Sequence, residues 1–130
     1  MLYSEAIREH FANPRNAGEL EQPDAVGTGG TPGEGPYVVM QLRVEDGRVA
    51  DIRFLCHGCA ASIAAASMLT ELAKGRSLGE CSRLSEDDVV AVAGGFPLGR
   101  EYAPGLAVGA LREALAQLGL VVAKMRSKEG

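Results

Sequence analysis

The sequence predicts an α+β domain in which a small, largely antiparallel three-stranded sheet packs against helices. Three observations carry this. Val38, Met40, Leu42 and Val44 alternate with Val39, Gln41 and Arg43, and after Asp46-Gly47 the apolar series resumes at Val49, Ile52 and Phe54. Alternation on both sides of an Asp-Gly pair is the pattern of a β-hairpin, because such residues accept the positive φ angles of a tight turn. An alanine-rich segment then runs from Ala60 to Lys74, apolar on most sides and stopped by Gly75, which predicts a buried helix rather than one with a wet face. Finally, Leu111, Leu115, Leu118, Val122 and Met125 mark one face of a helix that begins near Pro104. Strands early and helices late favour α+β over a repeating βαβ chain.

The remaining elements follow in order. Tyr3, Ile7 and Phe11 recur at helical spacing, with Ser4 as N-cap. Asn13-Pro14-Arg15-Asn16 stops that helix, since the residue before a proline avoids helical angles. From Ala17 to Pro36 the chain is rich in Gly, Pro and acids, which predicts a long loop with a short first strand around Val26. Gly27 to Gly35 reads as permissive backbone, because no strand-loop-helix phosphate fingerprint surrounds it. Ser85-Glu86-Asp87-Asp88 opens a short helix and Gly94-Gly95 closes it. Residues 1–130 are expected to form one domain, with 126–130 a frayed tail.

Composition narrows the function classes. A net charge of −4, with Lys and Arg scattered among acids, argues against nucleic acid, which needs clustered basic residues. No apolar run approaches the roughly 20 residues of a membrane span. Met1-Leu2-Tyr3-Ser4-Glu5 lacks the basic-then-apolar pattern of a signal peptide. Three cysteines are an odd number for a closed disulfide framework, so a reducing, cytoplasmic setting is expected.

Cys56-His57-Gly58-Cys59 is the one dense cluster of metal-capable side chains. It falls where the second hairpin strand gives way to the buried helix. A thiol just before a helix faces partly positive N–H groups that favour thiolate, so Cys59 is read as a reactive or ligating sulfur ahead of a packing residue. Cys56 shares the apolar strand face of Ile52 and Phe54, and packing is the better reading there. His57 is read first as a half-exposed loop histidine, with ligand and proton-carrier roles behind. His10 is read as a capping or surface residue and Cys81 as a structural residue in a loop. One C-x-x-C without a second pair falls short of the four ligands of a zinc site.

Tyr3-Ser4-Glu5, Asn13-Pro14-Arg15-Asn16, the paired strands, Gly58-Cys59 and the helix Ser62-Ile63-Ala64-Ala65-Ala66-Ser67, followed by Thr70-Glu71 and Lys74-Gly75, occur in the order of a known family. The chain resembles the IscU/NifU N-terminal family of iron–sulfur cluster assembly scaffolds from about Leu2 to about Ala123. The resemblance implies the compact α+β fold of the SufE/IscU type. It implies sulfur received from a cysteine desulfurase, iron, a [2Fe–2S] cluster and transfer to apo-protein acceptors. It also implies a site of three cysteines, an aspartate and often a histidine. Matched residue by residue, the first cysteine falls on Glu34, the aspartate on Pro36 and the middle cysteine on Cys59. The last pair falls near Tyr102 and Ala103, and Arg100 matches a segment that often carries a basic residue. The chain is thus a divergent member in which most cluster ligands are replaced.

Four functions compete on this reading. The first is a scaffold-like protein, not an enzyme, that accepts sulfur or iron transiently or docks on assembly partners. Cys59 leads there, with Cys56, His57 and Glu34 as weaker candidates. A cluster shared across a homo-oligomer could reach four sulfurs. The second is a zinc-binding module built on Cys56 and Cys59. A thiol–disulfide exchanger comes third, and an adaptor that kept the fold alone comes fourth.

Overall fold

The computed structural model describes residues 2–129, with side chains described through residue 119. The elements are α1 (Glu5–Ala12), β1 (Ala25–Gly30), β2 (Tyr37–Glu45), β3 (Arg48–His57), α2 (Ala60–Ala73), α3 (Leu78–Ser82), α4 (Glu86–Ala93) and α5 (Ala103–Glu129). Val122, Met125 and the tail expected at 126–130 fall outside the described side chains. The three strands form an antiparallel sheet in the order β1-β2-β3, as the alternation predicts.

The hairpin turns at Asp46 and Gly47, both left-handed (φ 52° and 71°), so the twist of the turn matches that of the strands. Arg43 pairs with Asp51 but Val44 with Val49, leaving Ala50 as the extra residue of a bulge. That bulge explains why Val49 and Ile52, three apart, are both buried. Val38, Met40 and Leu42 line the same face from β2.

α2 is buried on almost every side, with Ala61, Ala64, Ala65, Ala66, Met68 and Leu69 in the core. Small side chains let α1, α5 and β3 approach it closely. Of its buried polar residues, Ser67 and Thr70 meet the Asn13–Asn16 turn, Thr70 Oγ1 also reaching Ser67 O within the helix (2.7 Å). Ser67 Oγ accepts from Arg15 N–H (2.9 Å), Thr70 Oγ1 donates to Arg15 O (3.3 Å), and Asn16 Nδ2 donates to Thr70 Oγ1 (3.1 Å). Asn16, left-handed at φ 62°, then lies along β3: its carbonyl accepts from Phe54 N–H and Gly18 N–H donates to Phe54 O. The turn that ends α1 therefore also covers the outer edge of the sheet.

α5 crosses β1 at backbone distance. A Cβ added at Gly27 would meet Ala110 O and one at Gly29 would meet Leu106 O. Gly27 and Gly29 are thus required by packing, where the sequence pattern suggested only permissive loop, and the short first strand expected around Val26 is β1. α3 was not foreseen. Its signal is the Ser77–Glu80 capping box, in which each side chain accepts from the other residue's N–H (3.1 Å each). It carries Cys81, which is fully buried and donates to Ala73 O (3.4 Å), so the residue is helical and enclosed rather than in a loop. His10 is also buried rather than at the surface, held by Ser67.

Candidate functional site

The site lies where β3 hands over to α2. Gly58 bends the chain, and a side chain there would press on Ser62 (3.0 Å) and Pro36 (3.4 Å). Cys59 follows with extended backbone (φ −84°, ψ 176°) as the N-cap of α2. Its Sγ lies 3.4 Å from Tyr102 Oη and 3.7 Å from Ser62 Oγ. Tyr102 stands immediately before α5, so the sulfur sits between the starts of two helices.

Burial alone would push the Cys59 thiol up. Hydrogen bonds from the Tyr102 phenol, from the N–H and hydroxyl of Ser62 and from Ala61 N–H outweigh it and bring the pKa down to about 7. Tyr102 moves oppositely: its bond to Cys59 raises it, burial adds to that, and Ser62 and Arg100 oppose. The phenol therefore keeps its proton and is the donor, with the sulfur accepting. Arg100 borders the same corner. Tyr3 beside it holds its proton more firmly, burial opposes, and the negative charge of the Cys59 thiolate adds to the rise. Arg100 Nε is enclosed without a hydrogen-bond partner.

The other expected residues stand apart. Cys56 is half-buried opposite Val38 and borders a shallow cleft with Pro14, Ala17, Gly18 and Ile63. Burial, and then the charge of Cys59, push its thiol up to about 11. His57, the last residue of β3, is exposed and stacks on Tyr37 (centroids 5.6 Å apart). Glu34 is exposed, and its carboxylate has no hydrogen-bond or ion-pair partner among the described residues. Pro36 rather than Glu34 approaches Gly58. Ala103 is fully buried in the first turn of α5, so Tyr102 is the residue presented to Cys59. Ser62 and Tyr3 were missed as site residues. The Cys59-x-x-Ser62 spacing at a helix start is the signal that could have found Ser62.

Among the described residues, no three His, Cys, Asp or Glu side chains come together as metal ligands. A [2Fe–2S] cluster takes four ligands, chiefly thiolates. One thiol flanked by two hydroxyls, a proline and an arginine does not fit it within one chain, and zinc likewise lacks a third ligand. No helix among the described residues is long and apolar enough to cross a membrane.

Fold and site together define a small α+β domain in which one cysteine caps a buried helix beside a tyrosine hydroxyl. The chain belongs to the NifU-like N-terminal domain family, whose model matches residues 2–122. It is 42% identical over 114 residues to iron-sulfur cluster assembly scaffold protein IscU 1 of Archaeoglobus fulgidus, covering 88% of this chain and 74% of that one. It is 35% identical over 115 residues to the scaffold protein IscU of Aquifex aeolicus, covering 87% and 73%. The crystal structure of a nitrogen-fixing NifU-like protein (N-terminal) from Brucella abortus superposes with a TM-score of 0.69 at 23% identity, covering 89% of this chain and 93% of that one.

Proposed function

We propose that this chain is a scaffold-family protein that receives sulfur on Cys59 and does not hold a finished cluster within one chain. The carrying observation is the single thiol at the N-cap of α2, 3.4 Å from a phenol donor, with no cluster of three metal-capable side chains around it among the described residues. One accessible thiolate suffices for sulfur transfer, whereas a cluster needs a cage.

In the step itself the Cys59 thiolate attacks the terminal sulfur of a persulfide, R–S–SH, carried by a cysteine desulfurase. A new S–S bond forms on Cys59, the donor's S–S bond breaks, and the donor leaves as a thiolate with the electron pair. The terminal sulfur keeps or releases its proton according to pH. The product, a Cys59 persulfide, is passed on to assembly partners and finally to apo-proteins. The chain is a carrier rather than an enzyme, and its free thiols suit a reducing cytoplasm.

The test is intact mass and peptide mapping after incubation with a cysteine desulfurase and cysteine. A one-sulfur adduct on Cys59, absent in Cys59→Ser, is expected. No adduct, or one that maps to Cys56, overturns the reading.

A further inference from the structure

We propose that Tyr102 is the positioning residue of this site: its phenol O–H donates to Cys59 Sγ, holding the sulfur as a thiolate ready for attack at neutral pH. The inference rests on Cys59 being the working thiol, but it needs no sulfur donor to be tested.

Three observations converge on Tyr102. The contact links two helix starts: Cys59 caps α2, and Tyr102 immediately precedes α5. The phenol therefore reaches the sulfur from outside the turn that supplies the Ala61 and Ser62 N–H groups. Second, at 3.4 Å it is the shorter of the two side-chain hydroxyl contacts of this sulfur, against 3.7 Å for Ser62 Oγ. A hydroxyl on a rigid ring also arrives with its direction fixed, whereas the serine hydroxyl rotates freely. Third, Ala103 is wholly buried while Tyr102 is 42% exposed, so the ring spans from packed helix start to solvent. A reagent can then reach the sulfur while the phenol remains attached to it.

The direction of the bond matters. A phenol is a weaker acid than this thiol, so the proton stays on oxygen and the bond stabilises the charged form of the sulfur. After attack the charge moves outward to the new terminal sulfur, and the phenol loses its partner at Sγ. Arg100, with its enclosed and unpartnered Nε, borders the same corner and offers charge for the displaced anion.

The experiment is the pH profile of Cys59 alkylation by iodoacetamide, followed by peptide mapping, in the whole chain. Wild type should show its midpoint near 7. Tyr102→Phe keeps the ring and should move the midpoint up by about one unit, lowering the rate at pH 7 about fivefold. Tyr102→Ser, whose hydroxyl is too short to reach, should move it as far. Ser62→Ala should move it less. A merely structural ring would leave the Tyr102→Phe midpoint in place, and superimposable profiles for the wild type and both Tyr102 variants overturn the proposal. Since alkylation uses no desulfurase, failure to form a persulfide counts against the proposed function while a shifted profile still supports the role of Tyr102.

Discussion

His10 Nδ1 lies 2.8 Å from Ser67 Oγ, in the seam between α1 and α2. Ser67 also accepts from Arg15 N–H, and we assign its own proton to His10 Nδ1. That makes His10 the neutral tautomer with its proton on Nε2, 3.5 Å from Glu71.

The pairing sets a pH dependence. Burial, and then the charge of Arg15, lower the His10 pKa, with Glu71 and Glu9 opposing. Because the folded value lies below the ordinary 6.5, the unfolded chain binds more protons in that window. Stability contributed by neutral His10 is full above pH 6.5 and falls as pH drops below it. Urea unfolding across pH 5 to 8 should show a steeper acid-side loss in wild type than in His10→Gln. Equal slopes would refute a lowered His10 pKa in the folded chain. Ser67→Ala leaves the buried His10 Nδ1 and the half-buried Arg15 N–H without this partner and should cost about 1–3 kcal/mol.

Gly29→Ala should be among the most damaging single changes, at the upper end of roughly 1–3 kcal/mol, because the new methyl meets helix backbone that cannot rotate away. Chemical denaturation measures it. A loss below about 0.5 kcal/mol would mean that α5 does not lie on β1 as closely as described.

The three thiols should react in the order Cys59, Cys56, Cys81. A pKa near 7 against one near 11 leaves Cys56 mostly protonated at neutral pH, and Cys81 is enclosed. Limiting alkylation with peptide mapping should label Cys59 at least ~100-fold faster than either. Exposure cannot promote Cys81, contrary to what a loop position would have allowed.

Cluster retention should follow geometry rather than the family match. Ala103→Cys would bury its thiol in α5, and Glu34 has no contact with the site. Pro36→Cys with Tyr102→Cys puts thiols beside Gly58 and Cys59. After anaerobic reconstitution this pair should keep more iron and sulfide than Glu34→Cys with Ala103→Cys, and wild type should keep none stoichiometrically. The reverse ranking would restore the residue match made from the sequence.

The hairpin and α2 were legible because a period of two and an unbroken alanine-rich run are local properties. The bulge at Ala50 could be suspected only from the three-residue gap between Val49 and Ile52. His10, Gly27 and Gly29 were misread because each owes its role to a residue more than fifty positions away. At the site, Cys59 stood out through its place before a helix. Its partner Tyr102, from the other half of the chain where no spacing rule reaches, came into view only through the family match.

The crossing of α5 over β1 also bears on the order in which the molecule is made. Val26 N–H donates to Gln117 Oε1 at 2.7 Å, and the two glycines press on residues 106–114. β1 leaves the ribosome well before α5, which supplies the surface that completes it. Until then one side of a glycine-rich strand, with little side-chain mass of its own, must wait uncovered. Consolidation of the sheet is therefore expected to wait for α5, and nascent chains halted before α5 should be protease-sensitive in β1 while α1 and α2 already protect each other.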